Sequence, residues 1–481
     1  MPVQVVEVNQ GPAVTQFGLR PGSIIRKDRK GEEKQIKVRV SQIQALSNDL
    51  SLALAASPIR IEAPVPGRDF VGVEVPNVQI SQVSLRGVME SEEFMATKGP
   101  LLFGLGRDVS GQPMAADLAR MPHLLIAGAT GSGKSVCINA LISSMLLRHT
   151  PDTLRFLMVD PKRVELTVYN GIPHLIAPVV VDVERAVPVL QWATREMERR
   201  YKLFAKLGAR NIEGYNEKQA ARGEPPLPYI VIVIDELADL MLSAPEDVER
   251  YICRIAQMAR ATGMHLVLAT QRPSVDVVTG LIKANFPARI AFAVTSQVDS
   301  RVIIDTPGAE QLLGRGDMLF MAPDSSKLLR LQGCWVSDRE THRLVQYWKG
   351  ARAFTEPEAL MADEGGQYAA AGNEAAGPGE VGGLEPPWLP GQEALQQPLW
   401  EDVAASQSLE GRDDMYRQAV EEVRRAGKAS ISLLQRRLRI GYSRAARLID
   451  QMEADGIVGP ELGGTRGREI LPERTQNQAS S

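Results

Sequence analysis

Gly128-Ala129-Thr130-Gly131-Ser132-Gly133-Lys134-Ser135 spells the pattern GxxxxGK[ST], and each residue type in it has a job on a polyphosphate. Glycines let successive backbone N–H groups close around phosphate oxygens, at the start of a helix whose dipole favours anions. The Lys134 ammonium reaches β- and γ-phosphates, the Ser135 hydroxyl ligates Mg²⁺, and Val136 completes the binding segment. A second cluster ends the apolar run YIVIVID. There Asp235 is placed to hold Mg²⁺ through water, and Glu236 to polarise an attacking water. The alternative for such an acidic pair is a plain cap on a helix N-terminus. HLVLATQ carries Thr270 and Gln271 at the end of another apolar run, where a polar side chain can sense a γ-phosphate or simply cap the strand. Phosphoryl-transfer cores of this kind draw an arginine from a neighbouring subunit to stabilise transition-state charge. Arg260, Arg289 and Arg301 are the candidates, and spacing leaves the choice among them open.

These groups need elements to hold them. HLLIAG, RFLMVD, YIVIVID, HLVLAT, ARIAFAV and DMLFMAP are continuous apolar runs bounded by turn residues, the pattern of parallel strands buried on both faces with helices crossing between them. Residues 91–352 are therefore expected to form an α/β domain, a RecA-like P-loop NTPase core, with RFLMVD as the strand intervening between the two nucleotide motifs. Residues 1–90 alternate apolar and polar residues in VQVVEV, IKVRV and VGVEV around a helical LSNDLSLALAA, and read as a small α+β domain. Within it, residues 20–39 hold eight basic and three acidic side chains, read as a solvated hairpin with the option of a DNA-facing surface. Residues 353–411 carry eleven acidic residues and no Lys or Arg, the composition of a flexible acidic linker. Residues 412–473 return to helical periodicity in DDMYRQAVEEVRRAG, SISLLQRRLRI and SRAARLIDQMEADG, followed by GTRGREIL as a hairpin wing. That order predicts a winged helix-turn-helix, with 474–481 as a disordered tail.

Bulk properties narrow the class. At 481 residues, 44% hydrophobic and 23% charged, the chain is an ordinary globular protein of several domains. A net charge of −3 excludes a uniformly basic coat but not local basic surfaces. Cys137, Cys253 and Cys334 lack metal-ligand spacing, which argues for a reducing compartment rather than a disulfide framework. No apolar run reaches about 18 residues, and MPVQVVEVNQGP lacks the features of a signal peptide. The expectation is a cytoplasmic chain without membrane contact of its own.

Taken together, MPHLLIAGATGSGKSVCINALISSML, DPKRVEL, VIDELADLM, ATQRPSVDVVTGLIKANFPARIAF, DSRVIID and GAEQLLGRGDMLF resemble the motor of the FtsK/SpoIIIE DNA translocases. GPAVTQFGLRPG with IRIEAPVPG and VGVEVPN resembles that family's α domain, and GKASISLLQRRLRIGYSRAARLIDQMEADGIVGP its γ domain. The resemblance misses only the linker and tail. It implies a homo-hexameric ring pumping double-stranded DNA with ATP and Mg²⁺ for chromosome segregation at cell division. By position, Arg260 resembles the trans-acting arginine finger. Arg272, with Lys283, resembles a channel-facing loop that grips DNA phosphates, and Arg301 fits either role. In the γ domain, Ser443, Arg447 and Asp450 match positions that read polar DNA octamers, although the family more often has Asn and Glu where this chain has Ser443 and Asp450. The family implies a site-specific tyrosine recombinase as partner, and an N-terminal membrane domain at the division septum that this sequence does not contain. A conjugative or plasmid pump of the same superfamily is the related alternative, and an ATP-switched DNA-binding regulator the unrelated one.

Overall fold

The computed structural model describes residues 2–27, 33–65, 67–325, 327–355 and 416–438, with residues 445, 446, 448, 449, 452, 453 and 457–459 beyond them. Two compact units emerge, Met1–Gln396 and Gln397–Ser481. Among the described residues, no helix is long and apolar enough to cross a membrane.

Near the N-terminus, the alternating segments become strands β1 (Val3–Gln10), β2 (Val14–Pro21), β3 (Ser23–Lys27), β4 (Glu33–Lys37), β5 (Arg60–Glu62) and β6 (Val71–Pro76). Four of them form an antiparallel sheet in the order β1-β2-β6-β5, while β3 and β4 pair separately as the basic hairpin. LSNDLSLALAA contributes the helix Ser47–Ala53.

The larger sheet takes β7 (Leu102–Asp108), β8 (Pro113–Asp117), β9 (Leu124–Ala127), β10 (Leu154–Val159), β11 (Tyr229–Ile234), β12 (Met264–Thr270), β13 (Ala288–Phe292), β14 (Asp317–Met321) and β15 (Leu328–Gly333). Their order is β10-β11-β12-β9-β13-β14-β15-β7-β8. Alternate side chains of each central strand point to opposite faces, so both faces must be covered. Leu124, Ile126, Phe156, Val231 and Val267 pack with Ile138, Leu141 and Met145 of helix Lys134–Leu146. Leu125, Leu157, Ile230, Ile232 and Leu266 pack on the other side with Val189, Leu190 and Met197 of helix Val183–Leu207. Continuous apolar runs in the sequence are the direct consequence.

Two expectations are corrected here. The sheet is mixed: β10, β11, β12, β9 and β13 run parallel, but DMLFMAP, as β14, runs antiparallel to β13 and β15. A strand buried on both faces reads the same in either direction, and the short turn from β14 to β15 permits only an antiparallel return. RFLMVD, as β10, intervenes between the nucleotide motifs in sequence but stands at one end of the sheet. The strand between β9 and β11 in space is β12.

In the second unit, helices Tyr416–Ala426 and Ile431–Leu438 bury Ala419, Val423 and Leu434 against Leu448, Ile449 and Met452. The GTRGREIL wing lies outside the described residues.

Candidate functional site

Parallel strands deliver the turns at their C-terminal ends to one edge of the sheet, and three of those turns carry the singled-out residues. After β9, Gly131 and Gly133 take φ of 76° and 118°, which a Cβ would strain. A side chain at Gly133 would also collide with the backbone of Gly316, 2.6 Å away. The loop is braced at that point by the Gly316 N–H, which donates to Ser132 O at 2.8 Å, and Ala129 N–H donates to Ala293 O at 2.9 Å. It opens on a cavity of about 520 Å³ lined by Thr130, Lys134, Ser135, Gln271 and Arg315, among others.

Lys134, the first residue of its helix, is only 3% exposed. Its ammonium donates to Asp235 Oδ1 at 2.6 Å and to Asp235 O at 2.8 Å. Asp235 is wholly buried, and its second oxygen, Oδ2, has no hydrogen-bond partner. Burial raises the Asp235 pKa above the usual carboxylate value, and Lys134 offsets part of that rise.

Glu236 is equally buried, yet its pKa lies below the usual value. Burial pushes it up, and the hydrogen bonds from Lys162 and Thr270 more than reverse the push. Lys162 Nζ donates to Oε2 at 2.6 Å, Thr270 Oγ1 donates to Oε1 at 2.6 Å, and the Gln271 N–H adds a third donor at 3.1 Å. Thr130 Oγ1 donates to Gln271 Oε1 at 2.8 Å, so the phosphate loop and the end of β12 are joined directly. The chain thus brings Lys134, Ser135, Asp235, Glu236 and Gln271 to one sheet edge.

One segment of this edge escaped the sequence reading of roles. Asp160 directly follows β10 and accepts from the N–H groups of Glu165 and Leu166 at 3.0 and 2.9 Å, folding the turn back. That turn sends Lys162 to Glu236 and Glu165 to Ser135, whose hydroxyl donates to Glu165 Oε1 at 2.6 Å. The available signal was four charged side chains, Asp160, Lys162, Arg163 and Glu165, directly after an apolar strand destined for the same edge.

The arginines separate clearly. Arg289 is buried, donates to Phe286 O, Lys283 O and Ile303 O, and pairs with Asp305; it is a structural residue. Lys283 is held by Asp305 at 2.8 Å. Arg272, in the turn after β12, and Arg301, on helix Gln297–Ile304, are exposed. Arg260 is exposed in the turn Ala259–Thr262 before β12, at the opposite end of that strand from Gln271. Seven strand residues span about 20 Å, so Arg260 is out of reach of its own phosphate loop. Ser443, Arg447 and Asp450 lie outside the described residues.

Comparison with known proteins supplies the context of this edge. Residues 84–275 match the model of the FtsK/SpoIIIE family, residues 1–77 that of the FtsK alpha domain and residues 410–473 that of the FtsK gamma domain. The chain is 48% identical to the DNA translocase FtsK of Halalkalibacterium halodurans over 99% of its own length and 54% of that protein. It is also 48% identical to the DNA translocase SpoIIIE of Bacillus subtilis, over 97% of its length and 54% of that protein. The chain therefore spans about half the length of the curated relatives it matches. Among solved structures, the pCW3 conjugation coupling protein TcpA, with ATPgS, aligns with 73% of this chain and 94% of that one, at a TM-score of 0.51 and 23% identity. At that identity the likeness speaks for the fold alone.

Proposed function

Because the chain belongs to the FtsK/SpoIIIE family, we propose that it hydrolyses ATP to move double-stranded DNA through a ring of six copies, in chromosome segregation at division. The observation that carries this reading is the convergence of Lys134, Ser135, Asp235, Glu236 and Gln271 at one sheet edge beside a glycine loop that is open to a cavity.

In this reading the backbone N–H groups of residues 128–135 bind the phosphates at the helix N-terminus. Lys134 exchanges its Asp235 contact for β- and γ-phosphate oxygens. Glu236 is the carboxylate that takes the proton of the attacking water, and Gln271 links the γ-phosphate to the Thr130 side of the loop. Mg²⁺ fits the donors present: the Ser135 hydroxyl and the buried, unpartnered Asp235 Oδ2 are hard oxygen ligands of the kind it prefers. When bound, the cation neutralises charge on the phosphates.

Arg260 is assigned to the neighbouring subunit's site, which suits its position at the far end of β12. Arg272, Lys283 and Arg301 are assigned to sequence-independent contacts with DNA phosphates. Residues 412–473 are assigned to a winged helix that reads bases through Ser443, Arg447 and Asp450, tethered by the acidic linker at 353–411. The test is displacement of a triplex-forming strand from linear duplex in the presence of ATP. Lys134→Ala is expected to abolish displacement and DNA-stimulated hydrolysis together, and displacement that survives it refutes the motor.

A further inference from the structure

Ser135 and Glu236 belong to different motifs, yet each is gripped by a side chain from residues 160–166, the turn that follows β10. That turn is fixed by its own backbone. Fully buried Asp160 accepts from two N–H groups of the turn, and the Arg163 N–H donates to Asp160 O at 3.1 Å. Arg163 is held at a φ of 59°, a left-handed conformation that a non-glycine residue keeps only where its surroundings dictate it. Its guanidinium pairs with Asp182 at 3.1 Å. Leu166 and Tyr169 are wholly buried, and the Tyr169 hydroxyl donates to Asn139 Oδ1 at 2.9 Å, on the helix that begins at Lys134. This framework uses neither the Lys162 nor the Glu165 side chain.

A serine hydroxyl has one proton and two lone pairs. Donation to Glu165 Oε1 at 2.6 Å commits the Ser135 proton to the turn and leaves the lone pairs to face elsewhere. Ser135 and Glu165 both line the cavity at the phosphate loop. A carboxylate acceptor also raises the electron density of the hydroxyl oxygen, as carboxylates behind other metal ligands do. Glu236 is gripped from two sides. Thr270 and the Gln271 N–H hold Oε1, while Lys162 takes Oε2 at 2.6 Å. Donors from two elements therefore set the plane of that carboxylate.

We propose that Glu165 and Lys162 are positioning residues for ATP hydrolysis: Glu165 turns the lone pairs of the Ser135 hydroxyl toward the cation, and Lys162 aims the Glu236 carboxylate at the attacking water. The proposal rests on the reading of Ser135 as a Mg²⁺ ligand and of Glu236 as the base. Because both side chains leave one constrained turn, the metal-binding hydroxyl and the base keep a fixed relation to each other.

The Glu165 arm is tested by calorimetric binding of ATPγS to the full chain, in Mg²⁺ and in EDTA. Glu165→Ala is expected to lose affinity roughly ten-fold in Mg²⁺ and not at all in EDTA, a split that general loosening of the loop would not produce. Glu165→Gln, whose amide oxygen still accepts but without charge, is expected to fall between Glu165→Ala and the parent. Unchanged affinity of Glu165→Ala in Mg²⁺, or an equal loss in both conditions, overturns this arm. For Lys162 the measurement is DNA-stimulated hydrolysis. Lys162→Met is expected to lower kcat about 10²-fold with KM and ATPγS affinity unchanged, and Lys162→Arg to recover most of the loss. Retained kcat in Lys162→Met overturns the aiming role, as does a loss of kcat and ATPγS binding together. Ser135→Ala and Glu236→Gln isolate the premises. If Ser135→Ala keeps the full effect of Mg²⁺, or Glu236→Gln keeps hydrolysis, the underlying assignment fails whatever Glu165 and Lys162 do.

Discussion

Lys134 and Asp235 lie 2.6 Å apart with 3% and 0% of their side chains exposed, and this pairing couples stability to chemistry at a single contact. Taking one partner from a buried pair costs about 3–5 kcal/mol, because the other charge is left uncompensated. Lys134→Ala therefore removes the proposed phosphate ligand and also strands Asp235 in the core. Adding Asp235→Asn takes away the stranded charge without restoring the ammonium. The double variant is expected to recover most of the unfolding free energy lost in Lys134→Ala, measured in urea, while nucleotide binding stays absent. A double variant as unstable as the single one would show that the pair is not the source of the loss. The same comparison tells whether an inactive Lys134 variant is inactive for chemical reasons or because it has partly unfolded.

At the scale of one element, β12 serves both ends of the sheet. Its C-terminal end supplies Thr270 and Gln271 to Glu236, and its N-terminal end is fixed by two buried imidazoles. His123 Nδ1 accepts from Leu266 N–H at 3.0 Å, so its Nε2 carries the proton that faces Ala256 O at 3.1 Å. Burial pushes the His123 pKa down to about 3 and that of His265 to about 4. Both rings are neutral in the folded chain and take up a proton near pH 6.5 when it unfolds. Their contribution is complete above that value and is lost as pH falls towards the folded pKa, by about 2 kcal/mol per ring at pH 5. The urea midpoint of the parent is expected to fall between pH 7.5 and 5, and His123→Gln should flatten that fall by about one proton. Comparing the two proteins cancels the carboxylates whose pKa is raised, such as Asp117 and Glu62, and equal slopes would refute the assignment. The element scale is also where the sequence was most and least informative. β9 to β14 were legible because strands buried on both faces leave unbroken apolar runs. β7, β8 and β15 were not, because glycines at 104, 106 and 333 and polar residues such as Arg107 and Gln332 interrupt their patterns. Lys134, Asp235 and Glu236 announced themselves through motif and strand context. The roles of Lys162 and Glu165 depended on the fold-back at Asp160, a hydrogen bond between side chain and backbone that leaves no periodic trace.

On the scale of the whole molecule, the N-terminal sheet is not a loose appendage of the nine-stranded sheet. Glu74 on β6 is fully buried and accepts from Arg330 on β15 at 2.7 Å, while Arg330 also pairs with Asp317 and Glu74 with Arg60. Charges buried at this depth persist only when they are paired, so the four-stranded and nine-stranded sheets are fixed to each other. The role proposed for Arg260, by contrast, reaches beyond one copy. One copy supplies the phosphate loop, Asp235 and Glu236, with Arg315 lining the same cavity, but neither Arg260 nor Arg289 of that copy is offered to the phosphates. Arg289 is consumed by carbonyls and Asp305, and Arg260 sits one strand-length away from the loop. The role proposed for Arg260 would place it at the phosphates of a second copy. Arg260→Ala is accordingly expected to bind ATP with unchanged affinity and to lose DNA-stimulated hydrolysis by about 10³-fold or more. Mixing it with the parent chain should depress activity more steeply than the fraction of variant added, because each variant subunit silences a neighbour whose own residues are intact. Adding back Lys134→Ala subunits, which keep Arg260 but cannot bind nucleotide, should restore hydrolysis at the parent-like or Arg260→Ala sites they adjoin. Activity that falls only in proportion to dilution, with no rescue by the Lys134→Ala subunits, would place Arg260 outside the reaction and leave the stabilising cation to be found elsewhere.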